Sequence, residues 1–245
     1  MDKIRLGMVG GGEGAFIGEV HRISARMDER FVLCAGALCS DPDRSLRSAL
    51  DLGIARDRSY SDYIEMAKSE SKRDDGINFV SIVTPNHLHH PVAKIFLESG
   101  INVICDKPMT MNSEEAKELI DISERSNLIF AVTYNYSGYP LIREAREIVK
   151  EGKLGEIRII QVEYIQDWLT EPIEKSGHKQ ASWRVDPSKS GLGGSIGDIG
   201  THAFHLSHFV TQQMPEKISA DLSSFVKDRK LDDNAHILMR YASGA

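Results

Sequence analysis

The strongest constraint on this chain is an alternation in its first half, where short and almost continuously apolar runs take turns with amphipathic segments. "KIRLGMV", "FVLCAGALC", "INFVSIV", "INVIC" and "LIFAVTY" are strand-sized and too apolar to show one face to water. The segments between them carry helical spacing. Residues 18–28 place Val20, Ile23 and Met27 on one face, and "DPDRSLRSALDLG" opens with Asp and Pro and closes with Gly. "SDYIEMAKSE" follows, "TPNHLHHPVAKIFLESG" turns helical and ends at Gly100, and "SEEAKELIDISERSN" has Ser113 as its expected N-cap. Strands buried on both faces and separated by helices predict a doubly wound parallel α/β sheet.

After about Tyr136 the pattern changes. A helix, "LIREAREIVKEG", leads to a long alternating stretch, "EIRIIQVEYIQDW", expected as a strand. A polar, helix-free loop from Leu169 to Gly194, a short helix through "GTHAFHLSHFV" and strand-like "KISADLSSFV" and "NAHILMRYA" complete the order. This grammar predicts two domains, residues 1–136 and 137–245, the second α+β with a mainly antiparallel open sheet. Its last strand pattern stops at the C-terminus with no partner to return to, so either the edge pairs with another subunit or the chain is a truncated product.

Charge and composition narrow the partners. Of 245 residues 41% are hydrophobic, enough for a sizeable core, and thirty basic residues against thirty-six acidic ones leave a net charge of −6 with no basic block. Neither a nucleic-acid nor a membrane partner is expected, since the apolar runs are strand-sized and far short of a span. The N-terminus reads as the start of a strand rather than a secretion signal. Cys34, Cys39 and Cys105 are odd in number, fall within apolar runs and form no Cys-x-x-Cys pair, which predicts buried free thiols in a reducing cytoplasm.

The first strand runs straight into glycines, "GMVGGGEGAFIGEVH". Glycines let the backbone approach a dinucleotide pyrophosphate, and a following helix N-terminus offers it free N–H groups. Gly10 and Gly12 fit the start of such a loop, while Gly18, the best third glycine, comes three residues late. The end of the second strand should distinguish NAD from NADP, because an acid there binds ribose hydroxyls and repels a 2′-phosphate. Here Cys39 and Ser40 precede Asp41, with Arg44 and Arg47 close behind. Asp41 serves equally well as the N-cap of its helix, so the expected cofactor is NAD or NADP, with a lean to NADP.

Two loops should share the rim of that sheet, "TPNHLHH" and "DKPM". A lysine there, Lys107, with Pro108 fixing the turn, would direct its ammonium beside the cofactor; a solvated lysine is the plainer alternative. In the second half, "GGSIGDIGTHAFHL" places Asp198, His202 and His205 on one helical face. An imidazole suits proton exchange with an alcohol, and a carboxylate one turn earlier would orient it. The alternative has Asp198 capping the helix and the histidines packing or titrating at its surface. No metal site is expected: the histidines at i, i+3 and i+6 spread round the helix without a thiolate pair, and His87, His89 and His90 read as loop polarity.

Together, "GMVGGGEGAFIGEVH", "TPNHLHHPVA", "CDKPMT", "EGKLGEIR" and "GGSIGDIGTHAFHL" resemble, in order, the glucose-fructose oxidoreductase/inositol dehydrogenase/MocA family over essentially the whole chain. The resemblance implies an N-terminal Rossmann domain and a C-terminal domain whose open sheet carries homo-oligomer contacts. It implies NAD(P)-dependent hydride transfer with a sugar, inositol or related polyol. Lys107 matches the lysine of the family's Glu-Lys-Pro motif, and Asp198 and His202 match its Asp-x-x-x-His pair. His202 would then exchange the hydroxyl proton, Lys107 would hold the reacting oxygen and Asp198 would orient the site. Thr84, Pro85, Asn86 and His89 match the loop beside the nicotinamide and its ribose, and Trp183 and Arg184 are candidates for the substrate pocket. Asp106 stands where the family has glutamate, and His205 where many members have aspartate. Members usually continue through more strands, so the chain is expected to be C-terminally truncated. The alternative function is a non-catalytic dinucleotide-binding regulator or a remnant of such an enzyme.

Overall fold

The computed structural model describes residues 3–245 and divides into two compact units, Met1–Thr133 and Tyr134–Ala245. In the first, strands and helices alternate as the apolar runs require: β1 (Ile4–Gly10), α1 (Phe16–Arg26), β2 (Phe31–Ala37), α2 (Pro42–Asp51), β3 (Ser59–Tyr60), α3 (Tyr63–Glu70), β4 (Phe79–Val83), α4 (His89–Glu98), β5 (Asn102–Cys105), α5 (Ser113–Ser126) and β6 (Phe130–Val132). The six strands form one sheet in the order β3-β2-β1-β4-β5-β6, every pair parallel. The chain therefore crosses to one side of β1 and then to the other, which opens a crevice beyond the carboxyl ends of β1 and β4. Val80, Ile82, Val92, Phe96 and Val103 are fully buried in the core, each burial contributing about 1.5–3 kcal/mol. Cys105 is buried and Cys34 and Cys39 are half-buried; all three are free.

Three local details depart from the sequence pattern. Val20, Ile23 and Met27 do share a face of α1, but with Phe16 that face points outward, and Met27 is 81% exposed. The opposite face carries Gly18, His21 and Arg22 and meets the sheet, because the helix has to come close to the glycine loop. The cap of α5 is Asn112, one residue before the expected Ser113, its side chain accepting the Glu115 N–H at 2.9 Å. β3 is only two residues long, too short to leave a periodic signal.

A buried ionic network closes the edge beyond α3. Glu70, 1% exposed, accepts from Arg58 Nε at 3.0 Å, the Tyr60 hydroxyl at 3.0 Å and the Ile77 N–H at 3.2 Å. Burial, then the Glu70 charge, pushes the Tyr60 hydroxyl up to about 12.

The second unit comprises α6 (Pro140–Lys150), α7 (Lys179–Arg184), α8 (Pro187–Ser190), a π-helical turn (Ile196–Gly200) running into α9 (Thr201–Thr211), and the antiparallel pair β7 (Pro215–Ser223) and β8 (Asn234–Tyr241). The strand expected over "EIRIIQVEYIQDW" is not formed: residues 157–167 carry no regular structure. Alternation says which side chains share a face, but a strand also needs a partner backbone, and β7 and β8 pair only with each other. Ile159 and Ile165 are consequently 83% and 88% exposed. Leu169–Gly194 is not helix-free, since α7 and α8 lie within it. Residues 158–166, β8 and α9 border an open groove of about 1020 Å³. Among the described residues no helix is long and apolar enough to cross a membrane.

Candidate functional site

The glycine loop follows β1 directly, and Gly10 and Gly11 adopt φ of +79° and +77°. The late third glycine is explained by the backbone path. Residues Glu13–Ala15 make an extra turn, with the Ala15 N–H donating to Gly12 O at 3.0 Å and the Glu13 N–H to Ser48 Oγ at 3.0 Å. That turn delivers Gly18 against Gly11 so closely that a Cβ on Gly18 would lie 2.4 Å from the Gly11 Cα. Gly12 lies on the end of β2, donating to Leu38 O at 3.3 Å. Arg22 braces the loop from α1, its Nη1 donating to Gly11 O at 2.7 Å. Ala15, at the N-cap of α1, brings no side-chain cap, so a phosphate can serve the free N–H groups of the helix's first turn.

Beyond β2, Ser40 and Asp41 are exposed, and Asp41 caps α2 by accepting the Arg44 N–H at 2.8 Å. The Arg44 guanidinium reaches back to the glycine loop, with Nη2 3.5 Å from Glu13 O and Nε 3.9 Å from Glu13 Oε2.

The two neighbouring strand ends bear the other predicted rim residues. After β4 come Thr84, Pro85 and the buried Asn86, which starts a single 3₁₀ turn. The Thr84 hydroxyl oxygen is buried without a hydrogen-bond partner among the described residues. His89 is 1% exposed and holds two rim segments together, with Nδ1 2.7 Å from Pro108 O and Nε2 2.9 Å from Thr84 O. Burial pushes its pKa down, against the pull of the two carbonyls. Both ring nitrogens thus face backbone carbonyls, and the neutral ring that burial favours donates its single N–H to one of them. After β5 come Asp106, Lys107 and Pro108, joined through a cis Lys107–Pro108 peptide. Asp106 Oδ1 accepts the Lys107 N–H at 2.9 Å and the Thr133 hydroxyl at 2.9 Å. His21 lies alongside, Nε2 4.0 Å from Asp106 Oδ1 and Nδ1 2.8 Å from Ser81 Oγ. Its pKa is lowered by burial, with the Asp106 charge opposing.

A close-approach glycine pair, an uncapped helix N-terminus and a buried unpartnered hydroxyl on adjacent strand ends suit a dinucleotide. Gly10 ends β1, and Gly12, Gly18, Thr84, Asn86 and Lys107 lie in the segments that follow β1, β4 and β5 on that rim.

In the second unit the predicted pair falls on two kinds of helix. Asp198 lies in the π-helical turn and His202 in the first turn of α9. Asp198 does not cap the helix; its Oδ2 takes the Arg184 Nε at 3.0 Å. Arg184 lies over Trp183 at 4.2 Å and Trp168 at 5.5 Å, so the pair and both indoles form one cluster, with Trp168, Arg184 and Asp198 lining the groove. Asp232 anchors this helix start, accepting the Gly194 N–H at 2.7 Å, the Ser195 hydroxyl at 2.6 Å and the Ile196 N–H at 2.8 Å. Gly194 is required there, because a Cβ would lie 2.0 Å from Asp232 O.

His202 is 8% exposed and edge-on to Tyr134 and Tyr136, with Tyr164 nearby. The Tyr136 and Tyr164 hydroxyls bond each other, and the Tyr134 hydroxyl bonds Thr201 Oγ1 at 2.7 Å. His205 stacks flat on Tyr134 with ring centres 4.1 Å apart, and burial lowers its pKa. Sequence reasoning missed the tyrosines, Asp232, Arg22 and His21. Only His21 left a trace, three residues after Gly18 on the same helix face.

Comparison with known proteins agrees over the whole chain. Residues 4–134 match an oxidoreductase family with an NAD-binding Rossmann fold, and residues 142–245 match the GFO/IDH/MocA C-terminal domain. An oxidoreductase of Bacillus subtilis (strain 168), YfiI, is 39% identical over 99% of this chain and 62% of its own length. Levoglucosan dehydrogenase of Pseudarthrobacter phenanthrenivorans is 28% identical over all of this chain and 66% of its own. The crystal structure of an inositol dehydrogenase homolog from Azotobacter vinelandii complexed with NAD+ has a TM-score of 0.96 at 39% identity, covering 100% of this chain and 63% of that one. This chain thus spans about two thirds or less of these relatives. With both of its units matched in register, it belongs to the glucose-fructose oxidoreductase/inositol dehydrogenase/MocA oxidoreductase family.

Proposed function

We propose that the protein is an NAD(P)-dependent dehydrogenase acting on a CH–OH group of a sugar, inositol or related polyol. The observation that carries this reading is the rim of the first unit. The glycine loop, the Thr84–Asn86 segment and the Lys107 turn stand at the carboxyl ends of adjacent parallel strands, β1, β4 and β5. The relatives support the substrate class: one is a levoglucosan dehydrogenase, and the Azotobacter protein has also been seen with NADH and myo-inositol.

A bound nicotinamide would supply the hydride acceptor. The glycine loop and the first turn of α1 hold the pyrophosphate, and the Thr84 hydroxyl and Asn86 hold the nicotinamide half. Lys107 places its ammonium on the reacting oxygen and stabilises the charge that develops there. His202 takes the hydroxyl proton in the direction of oxidation. Asp198 keeps Arg184 in place, and Trp183, Arg184 and His205 present flat rings and hydrogen-bond donors suited to a polyhydroxylated substrate. At the end of β2 Asp41 accepts the Arg44 N–H as a cap, and the Arg44 guanidinium lies beside Glu13 of the glycine loop, an arrangement that supports the lean to NADP. The exposed apolar residues Ile218 and Leu222 of β7 fit an oligomer formed through the second sheet.

The test is to titrate the purified chain with NADH and NADPH and to screen polyols for reduced-nicotinamide absorbance. Lys107→Ala and His202→Ala are expected to lower kcat by about 10²–10⁴-fold while cofactor Kd changes little. Turnover unaffected by either substitution refutes the assignment. Tight cofactor binding by folded protein with no turnover on any polyol favours a dinucleotide-binding regulator.

A further inference from the structure

Asp106 is the acid beside the proposed catalytic lysine, yet its carboxylate is directed into the fold. Its side chain is 18% exposed and that of His21 is 11%. Oδ1 alone gathers the Lys107 N–H, the Thr133 hydroxyl and, at longer range, the His21 ring. These contacts join the end of β5 to the end of β6 and to α1, while Ser81 of β4 holds the other side of the imidazole. A neutral ring meets both neighbours by accepting Ser81 Oγ–H at Nδ1 and directing Nε2–H toward Asp106. An enclosed carboxylate of this kind persists only where donors converge on it.

We propose that Asp106 is a positioning residue for Lys107, aimed by Thr133 and His21. The inference rests on the dehydrogenase reading for the importance of Lys107 but concerns a separate matter, what fixes the direction of that side chain. Asp106 fastens the backbone amide from which the lysine springs. Through His21 the same carboxylate is tied to the helix whose other contacts, Gly18 and Arg22, shape the glycine loop. Cofactor loop and lysine turn are thereby linked through one carboxylate, by its hydrogen bonds to the Lys107 N–H and the Thr133 hydroxyl and by its 4.0 Å contact with the His21 ring. The requirement at position 106 is an oxygen acceptor at the Oδ1 position rather than a negative charge facing substrate.

The lysines of the full chain can be ¹³C-dimethylated and the Lys107 signal identified by its loss in Lys107→Arg, which reads that side chain's surroundings without turnover. Asp106→Ala and Thr133→Val are expected to move the Lys107 signal toward that of a free lysine. Asp106→Asn, which keeps the acceptor, should leave it at the wild-type position. His21→Phe should move it less than Asp106→Ala. Thr133→Val deletes a single hydroxyl, so it serves if Asp106→Ala does not fold. In turnover, Asp106→Ala should lose about tenfold to a hundredfold in kcat with little change in cofactor KM, and Asp106→Asn should restore most of it. A Lys107 signal unmoved by Thr133→Val, or moved as far by Asp106→Asn as by Asp106→Ala, overturns the inference. Failure of the dehydrogenase reading would appear differently, as absent cofactor binding or indifference to Lys107→Ala, with the signal shifts intact.

Discussion

The two units meet the same requirement, satisfaction of their backbone polar groups, by different means. In the first, β1, β4 and β5 each lie between two neighbours, and the site residues sit where those strands end. In the second, among the described residues, β7 and β8 pair only with each other, residues 157–167 have no ladder partner, and the turn leading into α9 is held by the Asp232 side chain. The first unit positions its candidate site by sheet register, whereas the second relies on individual anchors such as Asp232. A register is shared by many residues, but an anchor can be lost in one substitution.

This difference can be tested by removing one buried or half-buried carboxylate from each unit. Glu70→Ala should have the largest effect, because it leaves the Arg58 guanidinium, its side chain 9% exposed, with only the more distant Asp75 carboxylate at 3.6 Å among the described residues and releases the Tyr60 hydroxyl and the Ile77 N–H. A loss of about 3–5 kcal/mol is expected in denaturant unfolding. The network includes none of the rim residues, so cofactor affinity should persist in whatever fraction stays folded. Asp232→Ala should cost less, about 2 kcal/mol, because its partners can partly turn to water. Its effect should be local, seen as faster amide exchange at Gly194 and Ile196, whose N–H groups the carboxylate accepts, and as weakened turnover through His202. If Asp232→Ala left exchange at those amides unchanged, the second unit would not depend on that anchor.

The same contrast explains how far the sequence could be read. The parallel sheet was legible because strands buried on both faces must be apolar throughout, and helix punctuation marked most of the rest. The rim positions of Lys107 and Thr84 followed from that topology with no knowledge of side-chain contacts. The second unit was less legible. Ile160, Val162 and Tyr164 carry a strand's alternation without a partner to complete it, and Trp183 and Arg184 sit on a six-residue helix too short to show a period. Long-range polar partners left almost no local trace. Asp232 lies 36 to 38 residues from the amides it accepts, and Glu70 closes a helical segment beside a charged loop, where it is indistinguishable in sequence from a solvated helix end. On α1 the periodic signal was correct about the face but not its direction, since the close approach of Gly18 to Gly11 decides which side meets the sheet.

The smallest expected effect addresses a residue with two possible roles. Asp41 was read from sequence either as a cap or as a reader of the ribose, and its carboxylate accepts the Arg44 N–H at the start of α2. As a cap, it should cost about 1 kcal/mol to replace by alanine and close to nothing to replace by asparagine, whose side-chain oxygen accepts the same N–H. Because asparagine keeps the hydrogen bond and discards the charge, Asp41→Asn separates the two roles. The cap role predicts unchanged stability and an unchanged ratio of NADH to NADPH affinity. A carboxylate that also served the ribose would show itself in Asp41→Asn as full stability with NADH binding weakened relative to NADPH. Arg44→Ala completes the comparison: it keeps the backbone N–H that Asp41 accepts, so the cap survives, and only the guanidinium beside Glu13 is lost. If that guanidinium meets a 2′-phosphate, NADPH affinity should fall by about tenfold while NADH affinity stays the same, as expected for one lost charge-assisted contact.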